Sequence, residues 1–417
     1  MTERLRQGSL RIVNEGSQRS VLQPEARIAI VSGSFRSGYS YQENIWAERL
    51  TARGCSVRVF CTELGHEGEV TSEGYSLKSI PVRGSRHRNL FYERAVGDEV
   101  AAFNPELILW FGPPQLFGRS LLGRSDSAPI IVFMGQNRRM QAFDWTAPGL
   151  TLRERAKAGA YRLIRGPAIA AACREASLVV ANTEETPGII QLYLPEADAQ
   201  IMEKVRCFPL GYDPIAFGYD PERRARAREA RQLTDETILV LISSRFVPEK
   251  AKAVNHLLDG ALGALSASPH MQLAILGLGE DPLSAAVRRR CDDHPDVQRI
   301  HLFPFGDRET LSDHLHAADL ALFAQPSISC QEALGAGCYG VFADDGSMDW
   351  LLATSEDGAL YKTGDEAALS DAILHGISHL MGSNALLLRR GRADRAHRLN
   401  YDAIIDQIIE SASNCGR

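Results

Sequence analysis

Short apolar runs alternate with longer helical patterns twice over in this chain, and that alternation limits its fold more than any other feature. Arg27-Ile28-Ala29-Ile30-Val31 is β-branched, apolar and ends in Ser32-Gly33-Ser34, as a strand buried on both faces and feeding a loop should. A helix is expected from about Tyr41. Ser40 and Glu43 have capping-box spacing, Trp46, Ala47 and Leu50 supply an apolar face, and Gly54 stops it. Ser56 to Cys61 reads as the next strand, which completes one strand–helix–strand unit. Further strands are predicted at Leu107–Phe111, Ile130–Phe133, Leu178–Ala181 and Val205–Pro209, with a long helix over Leu152–Glu175 interrupted around Gly166-Pro167.

The register then restarts. Asp220-Pro221 marks a break before the charged, turn-flanked stretch Glu222–Arg231. Strands follow at Ile238–Ile242, Gln272–Leu276, Ile300–Phe303, Leu320–Phe323 and Val341–Ala343, with helices over Ala253–Leu265, Leu283–Cys291 and Leu311–Ala317. The fold class expected is therefore α/β, with two Rossmann-like doubly wound domains facing a central cleft. The boundaries drawn are a flexible tail over 1–25, a first domain over 26–212 and a second over 213–392, with a last helix (about 393–413) packing back on the first. Right-handed crossovers place the strand carboxyl ends and helix amino ends on one edge of each sheet. A ligand between two such edges meets loops from both domains.

Bulk properties exclude several classes of function. A net charge of −6 over 417 residues gives no general attraction to nucleic acid. No apolar stretch approaches the ~18 uncharged residues of a membrane span, and the polar start MTERLRQGSL is not a secretory signal. The eight cysteines are scattered without a C-x-x-C pair and read as small core residues in a reducing, cytoplasmic compartment.

Three loops of the second domain carry the chemistry. In Ser243-Ser244-Arg245-Phe246-Val247-Pro248-Glu249-Lys250, an arginine fork and a compact lysine charge lie five positions apart after a strand, where they can grip a diphosphate from two sides. The same residue types are common on solvated loops. Gly277-Leu278-Gly279 follows a strand and allows close backbone approach to a phosphate, although a simple turn has the same composition. Ser327-Ile328-Ser329-Cys330-Gln331-Glu332 opens a helix whose amides can face a diphosphate, with Glu332 accepting from a ribose diol. Ser329 and Glu332 also match a capping box, so Glu332 has a purely structural alternative.

The order of these pieces resembles the family-four retaining glycosyltransferases of the GT-B fold, from about Arg27 to Ile409. The resemblance rests on GYSYQENIWAERLTARGCSVRVF, ASLVVANTEETPGII, KVRCFPLGYDPIAF, SSRFVPEK, LAILGLGEDP, HLFPFGDRETLSDHLHAADLALF and PSISCQEALGAGCYGVFAD. It implies that Arg245 and Lys250 bind the donor diphosphate and are the catalytic pair. Glu332 would hold the nucleotide ribose, with Gly277, Gly279, Phe305, Ser327 and Ser329 also on the donor nucleotide. Gly33, Ser34, Gly38 and Gln42 fall in the loop over the donor phosphate, and Gln136, Asn137 and Arg138 line the acceptor side. One departure is clear: the family has a second glutamate eight positions before this one, where Ala324 stands here. The family's first-domain histidine is also not evident, with Leu109-Trp110-Phe111-Gly112 and Phe133-Met134-Gly135 at the equivalent places.

The activity implied is retaining transfer of a sugar from a nucleotide-diphosphate sugar to an acceptor hydroxyl on a glycan, glycolipid precursor or small metabolite. The alternatives are a GT-B-fold epimerase or phosphorylase, or a non-catalytic nucleotide-sugar-binding relative. A nicotinamide dehydrogenase is disfavoured because Gly33-Ser34-Phe35-Arg36-Ser37-Gly38 is not G-x-G-x-x-G. No cofactor beyond the nucleotide-sugar co-substrate and no metal is expected: there is no D-x-D on a post-strand loop. His314-x-His316 lacks ligand spacing and reads as two surface histidines on an ordinary helix. Arg153, Arg155, Lys157, Arg162 and Arg165, with Arg83, Arg86 and Arg88 and near Phe143 and Trp145, form either a solvated helical face or a patch for an anionic membrane or lipid acceptor. Peripheral membrane contact is thus among the expectations.

Overall fold

The computed structural model describes residues 23, 25–33, 35, 41–62, 74–81, 83–85, 90–124, 128–135, 150–194, 196–247, 250–344, 346–381 and 385–415. In the first domain the elements are β1 (Arg27–Ser32), α1 (Gln42–Ala52), β2 (Ser56–Cys61), β3 (Ser76–Ser79), β4 (Arg83–Ser85), β5 (Leu90–Tyr92), α2 (Ala95–Phe103), β6 (Leu107–Phe111), β7 (Ile130–Met134), α3 (Leu152–Glu175), β8 (Leu178–Ala181), α4 (Thr186–Tyr193) and β9 (Val205–Cys207). The parallel sheet runs in the order β3-β2-β1-β6-β7-β8-β9, and β4 and β5 form a separate antiparallel pair. Strand order reverses between β1 and β6. Their carboxyl ends part around a crevice there, where such sheets place ligands.

The linking region holds α5 (Pro214–Phe217) and α6 (Pro221–Glu229). The second sheet then follows with β10 (Ile238–Ser243), α7 (Ala251–Ala267), β11 (Met271–Leu278), α8 (Pro282–Asp292), β12 (Ile300–Pro304), α9 (Arg308–Ala317), β13 (Leu320–Phe323), α10 (Ile328–Gly335), β14 (Tyr339–Asp344), β15 (Gly358–Lys362) and α11 (Glu366–Leu380). Its order, β12-β11-β10-β13-β14-β15, reverses between β10 and β13. Central strands are buried on both faces (LVLI of β10 and LALF of β13 without an exposed position), which is why they read as continuous apolar runs.

The chain ends in α12 (Ala385–Ala396) and α13 (Tyr401–Cys415). From α13, Tyr401, Ile404, Ile405, Ile408 and Ile409 pack into the first domain's core beside Ile28, Ile30, Ile45 and Trp46. Arg49 and Arg53 of α1 hold Asp402 and Asp406 across the same contact, with Arg53 Nη1 donating to Asp406 at 2.6 Å. Among the described residues no helix is long and apolar enough to cross a membrane.

Three local expectations are corrected. The N-cap of α1 is Tyr41 and makes no side-chain cap bond; Ser40 lies outside the described residues, and Glu43 turns to Ser32 instead of closing a capping box. α3 runs unbroken through Gly166-Pro167. Pro167 removes one helical hydrogen bond, to the Leu163 carbonyl, on an exposed side of the helix. His314 and His316 are buried at 3% and 0% exposure, not on the surface. The two point to different sides of α9, each against another element: His316 Nε2 lies 3.0 Å from the Gly218 carbonyl of the linker, and His314 meets Phe303 of β12 edge-on at 4.4 Å.

Candidate active site

At the second sheet's reversal, the loop after β10 and the loop after β13 are neighbours. The first carries Arg245, exposed, and Lys250, half-buried at the position preceding α7. Lys250 has its ammonium pKa lowered by burial and by the Arg245 guanidinium, with a smaller opposing effect from Cys330. Lys250 thus has a second cation, Arg245, on one side and Cys330 in the first turn of α10 on the other. An anion there relieves the repulsion and meets a helix amino end.

Ser327 is the N-cap of α10, without a side-chain cap bond, and Ser329 is the second residue of the helix. The capping box expected from Ser329 and Glu332 is therefore absent. Glu332 is buried at 1% exposure, and its Oε1 has no hydrogen-bond partner among the described residues. Burial pushes its carboxyl up to about 7 against the opposing effects of the Ser329 hydroxyl and the Arg308 guanidinium. A buried carboxylate oxygen left without a donor is costly on its own. A ligand hydroxyl aimed at it removes that cost.

The glycines after β11 have separate roles. Gly277 sits at φ 114°, and a Cβ there would lie 1.9 Å from the Ser244 carbonyl oxygen. Only glycine lets β11 pass this close beneath the Arg245 loop. Gly279 donates its N–H to Ser284 Oγ at 2.9 Å and accepts from Arg288 at 2.8 Å. Its backbone is engaged by its own helix, α8. Phe305 follows β12 and is 57% exposed.

Facing these loops, the first domain has a cavity of about 150 Å³ at its own reversal point, lined by Ser32, Gln42, Glu43, Phe111, Gly112, Phe133, Gly135 and Asn182. Gln42 and Asn182 pair through their amides at 2.9 Å, and Ser32 Oγ donates to Glu43 at 3.1 Å. The rings of Phe111 and Phe133 stack at 4.2 Å, with Trp46 edge-on to Phe133 at 5.0 Å. Burial raises the Glu43 carboxyl above the usual carboxylate range, although its own backbone and Ser32 oppose this. Gly33 is buried beside this cavity and accepts from Thr62 Oγ1 at 2.7 Å.

The two sites meet at the hinge. Arg308, the first residue of α9, donates to Glu48 of α1 at 2.9 Å and pairs with Asp213 of the linker. Both Glu332 and Glu43, one from each domain, act electrostatically on the buried Tyr401 and help raise its pKa, after burial itself. Arg245, Lys250, Ser327, Ser329 and Glu332 are thus brought together on one edge, with Gln42 and Gly33 on the other. Ser34, Gly38, Gln136, Asn137 and Arg138 lie outside the described residues. Glu43, Ser32, Asn182 and Arg308 were not singled out from the sequence as site residues. Only the spacing of Glu43 was noticed, and it was read as a cap.

Residues 237–379 match the family model described as glycosyl transferases group 1. No curated protein matches the chain by sequence. Among solved structures, sucrose-phosphate synthase from Thermosynechococcus elongatus superposes with a TM-score of 0.67 at 17% identity, over 93% of this chain and 98% of that one. Anabaena HepE in complex with UDP and glucose superposes at 0.65 with 17% identity, over 93% and 100%. The catalytic domain of starch synthase IV from Arabidopsis thaliana, bound to ADP and acarbose, gives 0.66 at 13% identity, over 94% and 99%. The second domain of this chain is thus a glycosyl transferases group 1 domain, set in a chain with the two-domain GT-B architecture of the glycosyltransferases it resembles.

Proposed function

We propose that the protein is a retaining glycosyltransferase that moves a sugar from a nucleotide-diphosphate sugar to an acceptor hydroxyl. The observation that carries this is the Arg245–Lys250 pair, with Lys250 beside Cys330 at the start of α10, the helix that also holds Glu332, a buried carboxylate with one oxygen unpartnered. Solved neighbours with UDP, glucose or ADP bound share the fold, which supports a nucleotide diphosphate as the ligand class.

In this reading Glu332 accepts hydrogen bonds from the nucleotide's ribose hydroxyls. Arg245, Lys250 and the first amides of α10 face the diphosphate. As the bond between the anomeric carbon and the phosphate oxygen breaks, its electron pair goes to the departing diphosphate, and the fixed cations stabilise that charge. The acceptor oxygen bonds to the anomeric carbon from the same face and gives its proton to a phosphate oxygen. No enzyme carboxylate acts as nucleophile, and no metal or further cofactor is written into the scheme. The acceptor sits on the first-domain side, over the cavity of Ser32, Gln42, Glu43 and Asn182. It is a glycan, a lipid-linked sugar or a small metabolite, and a lipid-linked one brings peripheral membrane contact with it.

A thermal-shift screen against UDP, GDP, dTDP and ADP, then their sugars, identifies the donor. With that donor, Lys250→Ala is expected to lower turnover about a hundredfold or more, equivalent to ~3 kcal/mol of transition-state stabilisation. Near-normal turnover in this variant counts against the reading.

A further inference from the structure

α3 carries a surface that the transfer reaction does not use. At 100° per residue, Leu152, Ala156, Ala160, Leu163 and Pro167 fall within roughly 80° of one another on this helix, with Ile164 just beyond. All six are exposed; Leu152 is 88%, Leu163 80% and Ile164 50% exposed, while Ala158 on the opposite face is buried. Arg153 and Lys157 run along one margin of the apolar stripe, and Arg155 and Arg162 along the other, all exposed. From Leu152 to Pro167 five basic residues stand against one acid, Glu154. That acid is engaged with Thr151 in a capping box. The chain as a whole is acidic, at −6, so this segment runs against its own background.

The placement is as specific as the pattern. α3 has 24 residues, whereas β7 before it has five. At ~1.5 Å per helical residue against ~3.3 Å per strand residue, the helix is about twice as long as the strand. Its carboxyl end returns directly to β8 through Ala176 and Ser177. The surplus therefore projects past the carboxyl edge of the sheet, on the cleft side, and that projecting half carries the stripe.

We propose that the first half of α3 docks the protein on an anionic lipid bilayer, with Leu152, Leu163 and Ile164 inserted at the interface and the flanking Arg and Lys side chains on lipid phosphates. An apolar stripe between two basic margins is what a helix lying in the plane of a bilayer requires. A second copy of this chain fits the surface poorly. A two-fold pairing across the stripe sets like-charged margins side by side.

Flotation of the full chain with phosphatidylglycerol/phosphatidylcholine vesicles, against phosphatidylcholine alone, tests this. The anionic vesicles are expected to bind, and added salt should release the protein as charge screening grows. Leu152→Gln with Leu163→Gln, and separately Arg153→Glu with Lys157→Glu, should each cut partitioning about tenfold or more. Nucleotide-sugar hydrolysis and nucleotide-induced thermal shift should stay at wild-type levels, showing that the variants are folded. Equal binding to both vesicle types, no binding to either, or unchanged partitioning of the leucine variant overturns the proposal. So does a wild-type dimer in light scattering that the leucine variant dissolves. Loss of hydrolysis in wild type would instead strike the transfer reading, which this inference does not need.

Discussion

Glu332 shows how one side chain can carry both a structural cost and a binding function. Burial pushes its carboxyl up to about 7 in the free protein, into the range of neutral pH. Ribose hydroxyls donate to the ionised form, so binding of the nucleotide sugar should strengthen as pH rises through 7 and weaken by up to about tenfold per unit below it. The sign for stability is opposite. The folded pKa exceeds the unfolded value of 4.5, so the folded state binds the extra proton between those values and the unliganded protein loses stability as pH rises across that window. Glu332→Gln should flatten both profiles, which calorimetric titration and thermal melts at several pH values will read; an unchanged binding profile in the variant assigns the titration to another group. Glu43 makes the matching case across the cleft. Glu43→Gln is expected to raise the acceptor KM several-fold while hydrolysis of the nucleotide sugar alone holds. Equal loss of both rates removes Glu43 from the acceptor side. Neither carboxylate's role could be settled in sequence, because a serine three residues before a glutamate is the same pattern whether the pair caps a helix or lines a cleft. Only the chain's path showed that α10 starts after Ser327 and α1 after Tyr41.

At the level of elements, strands buried on both faces were the most legible. β6, β8 and β13 occupy the spans their apolar runs predict, since a continuous run has no polar position at which to slip. The elements missed are those without such a run. β3 is half-buried throughout, α2 is a short alanine-rich helix, and β15 sits at the sheet edge with exposed positions. The buried histidines of α9 differ from expectation for a related reason: what covers them is tertiary, the linker carbonyl of Gly218 over His316 and the Phe303 ring of β12 over His314. α13 is the element whose loss should be felt furthest from its own position. Ile405 is fully buried in the first domain's core although it lies near the end of the chain. Ile405→Ala should cost about 2–5 kcal/mol, measured by chemical denaturation. A change below about 1 kcal/mol would mean that α13 is loosely attached.

For the whole molecule, the question is what holds the two sheets at their present separation. Arg308 joins the second domain to α1 through Glu48 and to the linker through Asp213, with part of each contact open to solvent. The pair with Glu48, partly open to solvent on both sides, is worth about 1 kcal/mol or less, enough to bias the cleft and too little to lock it. Arg308→Ala should shift the unliganded protein towards a more open form, seen as a larger radius of gyration in small-angle scattering, with nucleotide restoring the wild-type value. An identical scattering curve before and after the substitution would show that the contact follows closure without favouring it.

The chain crosses between the domains twice, once on the way out and once on the way back, and the two passages are bonded to each other. Tyr212 donates its N–H to the Leu399 carbonyl at 2.9 Å, and Tyr401 donates to the Tyr212 carbonyl at 3.1 Å. Two tethered passes side by side resist sliding and twisting of one half against the other far more than they resist bending. Whatever enters the groove therefore meets a pair of jaws that swing on a single pin, and every catalytic cycle has to fit within that one arc of travel.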